Sequence, residues 1–76
     1  MNIYEKASRI RNLRNDETFK EVISEIRQAQ ASVFLDPASS TDVREEAHGI
    51  IRALGAIDTF FDSVLSEEAI AKKKQK

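Results

Sequence analysis

Apolar residues between Val43 and Val64 follow one another at steps of four and three: Val43, Ala47, Ile50, Leu54, Ile57, Phe61 and Val64. That spacing is a heptad seam, and it predicts one long helix with these seven residues in a line. Ile51, Phe60 and Leu65 flank the line, so the apolar face is wider than a two-stranded coiled coil needs and calls for more than one neighbour. The helix is expected to run from about Asp42 to Ala71, roughly 45 Å at 1.5 Å per residue. Asp42 and Glu45 have the spacing of a capping box at its start.

The same period occurs earlier in the chain. Phe19, Ile23, Ile26, Gln30 and Val33 form a second seam, widened by Val22 and Ala29, with Gln30 as its one polar member. A polar seam residue usually fixes register or partner number at some cost in stability. Leu35-Asp36-Pro37 ends this helix, because proline disfavours a helical residue before it and has no N–H to donate. Residues 36–41 form the turn, and a loop this short makes the flanking helices antiparallel, with Gln30 near Ala47, Ile26 near Ile51, Ile23 near Leu54 and Phe19 near Asp58 and Phe61. Before them, Ile3, Ala7, Ile10 and Leu13 recur at helical spacing behind an Asn2–Glu5 capping box. This helix of about three turns is marginal alone in water, and it is the right size to fold over the uncovered Phe60–Ile70 end of the long helix. Asn15 and Asp16 cap the next segment. With no Gly or Pro there, the alternative is one bent helix through both segments.

The expected architecture is therefore all-α: an antiparallel helical hairpin with a short N-terminal helix, residues 1–71 as one domain and 72–76 as a basic disordered tail. A chain of 76 residues has too little interior to be comfortably stable without a staple or a partner. Cysteine is absent and His48 is the single histidine, so no disulfide or thiolate site is available and no cofactor or metal is expected. Leaving Ile51, Phe60 and Leu65 in water forfeits several kcal/mol at roughly 1.5 to 3 kcal/mol per large side chain. A homo-oligomer is the simplest remedy, with Ile51, Phe60, Leu65, Gln30, Gly49 and Gly55 as candidate interface positions. The two glycines sit off the seam, where each costs about 1 kcal/mol relative to alanine and permits close helix approach.

Charge is segregated along the chain. Lys6, Arg9, Arg11 and Arg14 make the first segment basic, residues 15–71 are acidic, and Lys72, Lys73, Lys74 and Lys76 restore the balance to −1. Such a layout favours head-to-tail or intermolecular charge matching, or contact of the basic ends with phosphates or an acidic partner. Functional contact of Lys6, Arg9, Arg11, Arg14 and Lys72 to Lys74 with nucleic acid is the lesser reading, since the acidic body repels phosphate and no helix-turn-helix with a basic second helix is present. These cations otherwise read as salt-bridge partners of the acidic helices. No apolar run has membrane-spanning length, and Met1 to Leu13 is charged where a signal peptide is apolar, so a cytoplasmic protein is expected.

Catalytic chemistry finds little support. Glu45 and His48 form a Glu-x-x-His, the spacing used in di-iron bundles, with Glu21 and Glu25 as further carboxylates. Yet a helix with Ala47 and Ile50 inward turns Glu45 and His48 outward. Asp58 and Asp62 read as a solvent-facing like-charge pair. There is no second histidine and no Gly-rich loop, and the chain is expected not to be an enzyme.

The run Arg44 to Ile57, preceded by Leu13-Arg14-Asn15-Asp16 and Phe19-Lys-Glu-Val22, resembles the short helical proteins encoded among tailed-phage head genes. The matching piece is Gly49-Ile-Ile-Arg52-Ala-Leu54, within a similarity covering about residues 10 to 65. The basic ends depart from that pattern, and no catalytic residue carries over. The resemblance implies a small virion-assembly or virion-associated protein, in host cytoplasm or virion, with a phage structural protein as a further partner. The alternative is a small adaptor that binds and blocks another protein.

Overall fold

The computed structural model describes residues 1–75 and contains three helices, α1 (Ile3–Asn15), α2 (Glu17–Leu35) and α3 (Thr41–Lys74). The fold is all-α. Each boundary has a local cause. Asn2 Oδ1 accepts the Glu5 N–H at 2.9 Å, and its Nδ2 donates to Glu5 Oε1 at 3.0 Å. Asp16 alone separates α1 from α2: extended at φ −69° and ψ 124°, it donates its N–H to the Leu13 carbonyl, while its Oδ1 accepts the Phe19 N–H at 2.8 Å. One residue thus closes one helix and caps the next, which decides between two helices and a single bent one.

Two expected boundaries of α3 change. The cap is Ser40, which accepts the Val43 N–H through its hydroxyl at 3.2 Å, instead of a box of Asp42 and Glu45. Asp36 Oδ1 accepts the Ala38 N–H and the Asp36 carbonyl accepts the Ser39 N–H, so the turn is finished by Ser40 and Asp42 falls inside the first helical turn. There its charge favours the positive helix end. At the other end, α3 continues three residues past the expected stop at Ala71, so Lys72, Lys73 and Lys74 are helical, not part of a disordered tail. Cations in the last turn complement the negative end of the helix, and Lys72 Nζ lies 3.8 Å from Glu68 Oε1. Lys76 lies outside the described residues.

α2 lies antiparallel on α3, with the Phe19 and Phe61 rings 6.3 Å apart, as the loop length requires. α1 meets α3 beyond the end of α2. Lys6 sits 5.1 Å from the Phe60 ring, while Arg14 reaches Asp58 and Asp62. Those two α1 residues are about 12 Å apart along their own axis but meet neighbouring turns of α3, so α1 crosses the long helix instead of running beside it. Ala7 and Ile10 pack there on Phe61 and Val64, joined by Ile3, Phe19 and Leu65.

The interior is narrow. On α3 the buried residues Ala47, Leu54, Phe61 and Glu68 recur every seven positions, with Val64 added where α1 crosses. Of the other seam residues Val64 is covered and Ile50 half-buried, whereas Val43 is 44% and Ile57 40% exposed. α2 has no buried residue at all. The molecule measures 58 × 23 × 17 Å, about two helices of 10–12 Å wide and one and a half thick. Its radius of gyration of 16.8 Å compares with about 11 Å for a compact chain of this length.

Candidate interaction surface

The cations of α1 are mostly engaged within the chain. Arg11 forms a two-pronged pair with Glu68, at 2.6 Å to Oε1 and 3.2 Å to Oε2. Glu68 is 6% exposed, and Arg11 lies over it half in solvent. The hydrogen bonds from Arg11 hold the Glu68 carboxyl below its ordinary range, outweighing the opposing effect of desolvation, and Glu68 in turn raises the guanidinium. Arg14 donates to the Asp58 carbonyl at 2.9 Å and to Asp62 Oδ1 at 2.8 Å, and stacks 5.4 Å from the Phe61 ring. Asp58 and Asp62, expected as a like-charge pair in solvent, thereby share Arg14, and Arg27 stands 3.8 Å from the other oxygen of Asp58. Lys6 lies over Phe60. Among the described residues Arg9 makes no ion pair. The expected basic cluster is thus spread over three different contacts with α3.

Of the other candidate positions, Leu65 joins the α1 crossing and Ile51 and Gln30 are half-buried between the helices, whereas Phe60 is 53% exposed. A Cβ built at Gly49 or Gly55 would meet nothing within 4 Å, so neither glycine serves an approach inside this chain. Gly55 lies with Arg52, Ala56, Thr59, Phe60 and Ser63 along the outer side of α3, a shallow hollow of about 670 Å³. Glu45 and His48 are exposed on α3, and among the described residues no group of three or more His, Asp or Glu could hold a metal ion.

The hairpin has two broad faces, separated by the line along which α2 and α3 touch. A groove of about 510 Å³ opens on one of them, with Phe19 and Ile23 as its floor and Arg14, Lys20, Arg27 and Asp58 around it. Seven-residue steps extend this face to Phe34 on α2 and to Arg44 and Ile51 on α3. The opposite face holds the positions on the other side of the contact line: Val22 and Ala29 on α2, and Val43, Ile50 and Ile57 on α3. Its edges carry Glu25 and Glu46. A comparison with family models, curated proteins and solved structures returns no match. Among the described residues no helix is long and apolar enough to cross a membrane.

Sequence reasoning missed Glu68, Asp58 and Asp62 as the partners of α1. A signal for Glu68 was present, because it continues the seven-residue step of Ala47, Leu54 and Phe61. A carboxylate at a seam position requires a cation from the element that covers it.

Proposed function

We propose that this chain is a non-enzymatic structural module that works by helix–helix contact, its hairpin forming one layer of a larger helical assembly with further copies of itself. The observation that carries this reading is the thickness of the molecule. Stable domains enclose a core between packed layers, and here α2 buries none of its residues. Val22, Phe34, Val43 and Ile57, each more than a third exposed, supply the apolar area that a second layer covers. The resemblance carried by Gly49 to Leu54 supports a setting in virion assembly, where a small protein adds its layer to a growing particle.

Amide hydrogen exchange of α2 at low and high protein concentration tests the reading. Protection rising with concentration along α2, with α1 little changed, is the expected result. Equal and weak α2 protection at both concentrations contradicts it.

A further inference from the structure

The two faces of the hairpin differ in charge in a way that identifies how copies meet. The face with the groove carries Lys20 and Arg27 along the outer edge of α2, Arg44 on α3 and Arg14 at its end. Its acids, Asp58 and Asp62, are already held by Arg14 and Arg27, and Lys20 stands 3.6 Å from Glu17 in an exposed pair that solvent screens, so the edge keeps its surplus of positive charge. The opposite face has Glu25 on the α2 edge and Glu46 on the α3 edge, and among the described residues neither forms an ion pair. Between the edges both faces are apolar: Phe19, Ile23 and Ile51 on the basic side, Val22, Ile50 and Ile57 on the acidic side.

We propose that copies of this chain stack face to back, the basic face of one hairpin covering the acidic face of the next. This rests on the reading that the open hairpin is the interaction surface, and it fixes the partner as a second copy in one orientation. A symmetric dimer uses the same patch twice. Acidic on acidic sets Glu25 and Glu46 against their own kind, and basic on basic does the same with Lys20, Arg27 and Arg44. Only the unlike pairing joins apolar centre to apolar centre while giving each edge its counter-charge. The size suits it: the two-helix part, about 28 Å long and, at about 10–12 Å per helix, roughly 22 Å wide, offers about 600 Å² of projected face, near the 800 Å² or so that each side of a standard interface buries. Because such a contact is heterologous, every copy added presents a new basic or acidic face, so the assembly closes as a ring or continues as a filament.

The test uses two charge-reversed proteins: Lys20→Glu with Arg27→Glu on the basic face, and Glu25→Lys with Glu46→Lys on the acidic face. All four positions are exposed, and circular dichroism verifies that both variants stay helical. Each variant alone has lost one side of the contact and is expected to be monomeric at concentrations where the wild type is oligomeric, a loss of tenfold or more in affinity. Mixed together, they bring the intact basic face of one variant to the intact acidic face of the other, and should co-assemble at concentrations where neither does so alone. The chain carrying all four changes has both edges reversed, with Arg14 and Arg44 unchanged, and should regain part of the association. A dimer that survives in each single-face variant overturns the stacking but leaves the interaction reading in place. A wild type that stays monomeric throughout overturns both.

Discussion

Glu68 is the residue whose environment differs most from its chemical type. A carboxylate in a narrow interior is tolerated because Arg11 meets both of its oxygens, although the two groups are separated by fifty-seven residues along the chain. Removing one partner is worse than removing both, since a lone buried charge keeps its desolvation cost. Arg11→Ala is therefore expected to lower the thermal unfolding midpoint more than the double change Arg11→Met with Glu68→Leu, measured by circular dichroism at neutral pH. The acid response follows from the lowered Glu68 pKa. A carboxyl whose folded value lies below its unfolded one stabilises the fold fully above the ordinary value of 4.5 and loses that contribution as pH falls through the folded value. The midpoint of the wild type should drop over that acid range, and the drop should be smaller in Glu68→Gln. An equal drop in both proteins contradicts the role given to Arg11. At this scale the sequence was informative for caps and silent for pairs: Asn2 and Asp16 are local, whereas Arg11 finds Glu68 only through the crossing of two helices.

Helices are where the sequence was most legible, because amphipathic period and capping chemistry act within a few residues. Three helices and the antiparallel hairpin follow from the steps of four and three, from Pro37 and from Asp16. The limits were set by neighbouring chemistry: Ser40, one residue past the turn bonds of Asp36, starts α3 before Asp42 has the chance, and the lysines after Ala71 extend it because its end favours cations. Asp16→Ala removes the acceptor for the Phe19 N–H and should cost about 1 kcal/mol in a denaturant titration, with helical content retained. The seam also has an internal gradient that periodicity does not reveal. Leu54, 8% exposed, should lose about 2 to 3 kcal/mol on change to Ala, and Leu54→Asp should abolish the helical fold seen by circular dichroism. Ile57, 40% exposed on the same helix, should lose less than about 1 kcal/mol on change to Ala in the dilute protein. Equal losses at the two positions contradict the single-layer arrangement. Periodicity lists both as seam residues; which one is covered depends on where α1 and α2 stop.

The whole molecule is a layer of helices 17 Å thick, with an accessible surface of 5760 Å² where a compact fold of this length exposes roughly 4,700 Å². That excess was only partly legible. The width of the apolar face on α3 announced a further neighbour, and the length of α1 placed it over the Phe60–Ile70 end, where Leu65 meets it; the two faces left open on the hairpin were not announced, because they depend on α1 crossing α3 there. Placing Lys20 and Arg27 on one side and Glu25 on the other then gives two unlike surfaces from one short helix. The most direct measurement of the account is the absolute mass of the wild-type chain in solution, by light scattering on a sizing column over a range of protein concentrations. A species larger than a dimer, either of fixed size as a ring or growing with concentration as a filament, is the predicted result. A mass equal to one chain at every concentration contradicts it.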